Sequence, residues 1–188
     1  MDTTCDQYSY AQEPCKVSPG IIYTSSNGYF VFAYDEYCMT NHSTEHDKRI
    51  DVIVLPEAST QTAEDVWVIE AKDFRVMTRK PRPGNAQDLH LTLARKFADS
   101  HARLISGKCD QNVCQRYAMA ENIHFCAHIE PPQQISVPPP VYRLLTSVIL
   151  NLTMHPSLVP TPNGSTMEVF HMRKINEANH LPWQCSNP

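Results

Sequence analysis

Between residues 20 and 75 the apolar positions of this chain fall in short, dense runs, and beyond residue 85 they recur mainly at helical spacing. Ile21-Ile22-Tyr23 and Tyr29-Phe30-Val31-Phe32-Ala33-Tyr34 are rich in β-branched and aromatic residues and enclose Asn27-Gly28. That combination predicts a strand at 29–34, paired as a hairpin with 21–23. Residues 38–48 are polar and read as a loop. Apolar runs at 49–55 and 65–72 predict two more strands. The polar stretch 56–64 between them suits a hairpin connection and makes them antiparallel neighbours.

Leu89, Leu93, Ala94, Phe97, His101, Leu104 and Ile105 then mark one face of a helix, with Arg95, Lys96, Asp99 and Arg103 elsewhere on the wheel. Gly84 or Asn85 can cap its start and Gly107 its end. Residues 109–120 carry no decisive pattern. Ile123 to Ile129 reads as a strand, Pro131 to Pro140 as a rigid loop, Tyr142 to Leu152 as a helix, and Met167 to Met172 as a late edge strand. Residues 1–20 read as a loose lead-in and 176–188 as a loose tail, which leaves 21–175 as one α/β domain with a mixed central sheet flanked by helices.

Composition narrows the class. At 188 residues, 41% hydrophobic and 19% charged, the chain is long enough for one well-buried domain. A net charge of −4 argues against a general coat for polyanions, while a local basic patch stays compatible with phosphate contacts. No run approaches the roughly 18 apolar residues of a membrane span. Residues 1–19 lack the basic and apolar segments of a secretory signal. With seven cysteines at scattered spacing, a cytoplasmic or intracellular location with reduced thiols is the expectation. The glycosylation-like triplets at Asn41, Asn151 and Asn163 then read as chance matches.

The chemistry concentrates in the second and third predicted strands. Asp51 opens one apolar run, and Glu70 and Lys72 close the next. Strand side chains alternate faces, so Glu70 and Lys72 point the same way. Charged groups rarely enter such runs unless they are paired or bind a metal. Asp51 and Glu70 are hard oxygen ligands of the kind that Mg²⁺ or Mn²⁺ prefers, and the Ala71 backbone carbonyl between the site residues can add another oxygen. Lys72 can orient and polarise a water and stabilise developing negative charge. Phosphodiester hydrolysis needs these functions. The plainer alternative is a surface Glu70–Lys72 pair at a strand end, with Asp51 capping a turn and the two carboxylates well apart.

Asp51, eighteen residues, then Glu70-Ala71-Lys72 resembles the D…(D/E)-x-K signature of the restriction-endonuclease-like, or PD-(D/E)xK, nuclease superfamily. The resemblance covers roughly residues 28–130. It implies a restriction-endonuclease-like core: a helix carrying an acid, a three-stranded meander, a helix and a further strand. It also implies metal-dependent cleavage of nucleic acid, DNA before RNA, with Asp51 and Glu70 as ligands of Mg²⁺ or Mn²⁺ and Lys72 as catalytic lysine. Ile50 stands where the family often has proline. Glu36 is the best-placed candidate for the family's further upstream acid, with Asp35 and Glu45 as alternatives. Gln87 is followed by Leu91 where one exonuclease branch has tyrosine. An inactive relative, serving as a binding or assembly subunit of a nucleic-acid machine, is the rival reading. By analogy of fold, such small domains work as homodimers or within larger complexes.

Arg75, Arg79, Lys80 and Arg82 leave the third strand directly after the motif and are candidates for phosphate contacts, with Arg95, Lys96 and Arg103 as a possible extension. A solvated loop accounts for the same residues. His42, Glu45 and His46, and Cys109 and Cys114 with Cys126 and His128, have a loose metal-site look without paired CxxC spacing. Asn179-His180 has a faint likeness to an HNH nuclease motif but lacks the ββα pattern around it.

Overall fold

The computed structural model describes residues 15–17, 21–25, 28–41, 49–57, 65–75, 88–134 and 137–187. The dense apolar runs become the central sheet. β3 (Tyr29–Ala33), β4 (Val52–Pro56) and β5 (Asp65–Asp73) form an antiparallel meander. β6 (Asn122–Glu130) lies parallel to β5, and β7 (Glu168–Phe170) lies parallel to β6 at the edge. Parallel neighbours require a crossover. It contains α2 (Leu89–Ile105) and α3 (Gln111–Met119). The signal for α3 is its cap: the Asp110 carboxylate accepts from the Asn112 and Val113 N–H groups at 3.0 and 3.1 Å.

Alternation along each strand sorts side chains onto two faces. Phe32, Ile53, Val66, Val68 and Phe125 meet Leu93, Phe97 and Tyr117 of the crossover helices on the first face. Val31, Val52, Val54, Trp67, Ile69 and Cys126 form the second. That face is covered by an antiparallel sheet of β1 (Cys15–Val17), β2 (Ile21–Ser25) and β8 (Trp183–Ser186), together with α5 (Met172–Glu177). The chain is therefore a mixed α/β protein with a central mixed sheet flanked by helices. No helix among the described residues is long and apolar enough to cross a membrane.

Five expectations are corrected. Cys15–Val17, expected in a loose lead-in, pair with β2 as β1, and residues 38–41, expected as loop, are helical. The run at 21–23 does not form a hairpin with 29–34, because β2 pairs with β1 and β8 in the second sheet. Tyr34 does not extend β3: it opens α1 (Tyr34–Asn41), with Asp35 and Glu36 in the first turn, where acids favour a helix start. The tail is not loose, since Trp183 is 1% exposed and packs edge-on against Trp67 and Phe170. The apolar segment near 142–152 is helical, as α4 (Pro139–Met154), with proline in its first turn.

Trp183 caps the second core, so Trp183→Ala is expected to cost about 3–5 kcal/mol of stability, measured as a shift in the urea unfolding curve. A loss indistinguishable from zero would mean that β8 does not hold the second face.

Candidate active site

Register brings the motif together. Val52 pairs with Ile69, so Asp51, the residue before β4, comes beside Glu70, the residue after Ile69 on β5. The ladder ends there: the Asp51 N–H donates to the Ile69 carbonyl at 3.2 Å, and the Asp51 carbonyl accepts from the Tyr34 N–H at 3.0 Å. Ile50 is turned away toward α2, where its N–H donates to the buried Ser100 hydroxyl at 3.1 Å. The Ala71 N–H, which has no β4 residue to pair with, donates instead to Asp51 Oδ2 at 2.7 Å. In a strand the N–H and C=O of one residue face the same edge, so the Ala71 carbonyl also faces the Asp51 side.

Glu70 and Lys72 share the first face, under α2. Glu70 is 0% exposed. Its Oε1 contacts the Lys72 ammonium, and Lys96 of α2 reaches both carboxylate oxygens, at 2.7 and 2.8 Å. The Lys96 nitrogen also lies 3.9 Å from Asp51 Oδ1, so both carboxylates surround one ammonium. This is not a surface pair at a strand end: isolated burial of a carboxylate is costly, and two cations are gathered to offset it. Burial first, then repulsion from Glu70, pushes the Asp51 carboxyl up to about 7, against the pull of Lys96, Lys72 and the Ala71 N–H. Burial pulls the Lys72 ammonium down, but Glu70 and Asp51 outweigh it and hold it above the usual lysine range.

Two residues join the cluster beyond those the motif marks. Lys96 follows Leu89 by seven and Leu93 by three, which places it beside the apolar stripe rather than away from it. Arg103, also expected elsewhere on the wheel, is buried too. Of the α1 acids, Asp35 is the one whose carboxyl senses the site. Burial raises it, Lys96 opposes, and Asp51 raises it further. Glu36 is exposed on the helix surface.

Arg75 is already engaged. Its Nε and Nη2 donate to the two oxygens of Asp73 at 2.9 and 2.6 Å, and Nη1 contacts Asn187. Arg79, Lys80 and Arg82 lie outside the described residues, as do His42, Glu45 and His46. Cys109 and Cys114 pack with the first core and Cys126 with the second, so the loose Cys/His grouping is divided by the sheet. Among the described residues no three His, Cys, Asp or Glu side chains converge as a metal site. The oxygens that could hold a hard divalent cation are the Asp51 and Glu70 carboxylates with the Ala71 carbonyl. Two lysine ammoniums already neutralise these carboxylates.

On the second face the same strand ends are tied by a buried chain. Tyr23 Oη is bonded to His128 Nδ1 at 2.5 Å, and His128 Nε2 to Glu130 Oε1 at 2.9 Å. The Met172 N–H also donates to that glutamate oxygen at 2.5 Å, which links β2, β6 and α5. The chain matches no protein-family model, no curated protein and no solved structure.

Because the folded state holds the Asp51 proton more tightly than the unfolded chain, with its carboxyl near 3.8, metal-free protein should lose stability as pH rises from about 4 to about 7. Asp51→Asn should flatten that slope and be more stable than wild type at pH 8 by about 1 kcal/mol or more. Urea unfolding at several pH values checks this; parallel wild-type and variant profiles would show an unperturbed carboxyl.

Proposed function

We propose that this chain is a metal-dependent nuclease that hydrolyses phosphodiester bonds of nucleic acid, DNA before RNA, through a metal-activated water. The observation that carries the reading is the convergence of Asp51, just ahead of β4, and Glu70 of β5 on the Lys96 ammonium, with Lys72 against Glu70. The order of meander, crossover helices and parallel strand is compatible with the core implied by the PD-(D/E)xK resemblance. One departure is the position of the acid-bearing helix: α1 follows the first meander strand instead of preceding the meander.

Asp51, Glu70 and the Ala71 carbonyl are the residues that would hold Mg²⁺ or Mn²⁺. When bound, such an ion supplies Lewis acidity and a more acidic water. Asp51 Oδ2 is fixed by the Ala71 N–H, so its free direction is set before any ligand arrives. Lys72 is the more exposed of the two lysines, at 29% of its side chain. Held in its charged form by Glu70 and Asp51, it orients water as a donor and stabilises negative charge at phosphate. Lys96 neutralises Glu70 and is the counter-charge that a bound ion would replace. Arg79, Lys80 and Arg82 are the expected phosphate contacts, because Arg75 is committed to Asp73. A second copy or a larger complex is expected to supply the rest of the recognition surface.

One observation favours the rival reading of a non-catalytic binding or assembly subunit. Glu70 is wholly enclosed, with both oxygens already satisfied by lysines.

Plasmid nicking and RNA cleavage in Mn²⁺, together with calorimetric Mn²⁺ titration, separate the two. Wild type should cleave, and Lys72→Ala should lose on the order of 10²-fold or more in rate while keeping its circular dichroism spectrum. If wild type and Lys72→Ala are equally inert and no Mn²⁺ binds, the nuclease reading fails.

A further inference from the structure

A cavity of about 400 Å³ opens at the opposite end of β5 from Glu70 and Lys72. Its walls are Tyr29, Asp65, Trp67, His124 and Glu168, closed by the turn at 180–182 that leads into β8. Trp67 and Tyr29 belong to the second core, which places the cavity on the sheet face away from Lys96. The strands put each wall in place: Trp67 pairs with His124 across β5 and β6, and Glu168 enters from β7.

The carboxylates of these walls are Asp65 and Glu168, with the imidazoles of His124 and His180 beside them. His124 Nδ1 lies 3.2 Å from Glu168 Oε1, and its Nε2 lies 3.5 Å from Asp65 Oδ2. A neutral imidazole carries a single N–H, so it cannot serve both carboxylates. Asn122 donates to the other Asp65 oxygen at 2.8 Å, and that bond brings no charge. No lysine or arginine is among the wall residues. Both carboxylates stay substantially exposed, at 39% and 41% of their side chains. Beside them the Trp67 indole stacks on the imidazole at 5.1 Å, and Tyr29 stands edge-on to the indole at 5.7 Å.

Two carboxylates with aromatic walls call for an organic cation, and they repel phosphate. The carboxylates lie against the two nitrogens of one imidazole ring, so a ligand that meets both needs donors set apart. A planar guanidinium has five donors spread over three nitrogens and stacks on aromatic faces. We propose that this cavity is a binding site for a guanidinium group, the arginine side chain of a partner polypeptide. The inference does not depend on the nuclease reading.

Two-dimensional NMR of the two tryptophan indole N–H groups tests it, with Trp67 assigned from Trp67→Phe. N-acetyl-arginine amide, its lysine counterpart and the uncharged citrulline counterpart are titrated at equal ionic strength. Arginine amide should shift the Trp67 signal saturably, with citrulline and lysine amides weaker by about tenfold or more, a difference of roughly 1.4 kcal/mol. Glu168→Gln and Asp65→Asn should each weaken arginine binding by a similar factor while leaving the thermal midpoint near that of wild type. Absence of a saturable shift with arginine, or equal affinity for citrulline, overturns the proposal. Equal affinity for lysine overturns the guanidinium assignment, and Mn²⁺ broadening of Trp67 that Glu168→Gln removes would make the cavity a metal site instead.

Discussion

The buried carboxylate of Glu70 is the constraint around which the first face of this protein is arranged. A carboxylate withdrawn from water inside an apolar layer costs several kcal/mol unless countercharge and hydrogen bonds come with it. Here the countercharge comes from two directions. Lys72 is on the same strand and face, two residues on; Lys96 descends from α2. The second contact requires α2 to cross the carboxyl end of β5 with Lys96 turned inward, and the buried Leu93 and Phe97 beside it hold that orientation. The Ser100 hydroxyl on the same stripe then holds the Ile50 backbone, which sets Asp51 where β4 begins. Charge compensation, helix placement and the start of a strand are thus one coupled arrangement.

That coupling explains why Asp51 is the responsive member of the cluster. Glu70 has both lysines in direct contact, whereas Asp51 has one ammonium at 3.9 Å and a backbone N–H. Burial first, then repulsion from Glu70, makes Asp51 hold its proton to higher pH.

β5 also organises the second face. Its alternate residues carry Trp67 and Ile69 into the core beneath β2 and β8. The same strand therefore presents lysines and acids at its carboxyl end on one face, and an aromatic cavity with acids at its amino end on the other. The Tyr23–His128–Glu130 chain joins the small sheet to the central one close to the carboxyl end, and Trp183 joins them nearer the cavity.

Much of this was legible in the order of residues. Dense apolar runs marked the central strands, because a strand buried on both faces has little room for polar positions. Period-3.6 spacing marked α2. The Glu70–Lys72 side was determined by alternation alone, and the short polar link before β5 made Asp51 a neighbour of that strand. Other features waited on the tertiary structure. Trp183 and Cys185 look like tail residues until β2 supplies an edge to pair with, and no local pattern encodes a partner 160 residues away. Helical spacing sets Lys96 off the apolar face, and only the packing of α2 over β5 turns it to Glu70. Likewise Arg75 reads as a free phosphate contact until the fold brings Asn187 beside it and closes its pair with Asp73. Periodicity specifies which side of an element is buried; what that side meets depends on long-range packing, and there the identity of the site was decided.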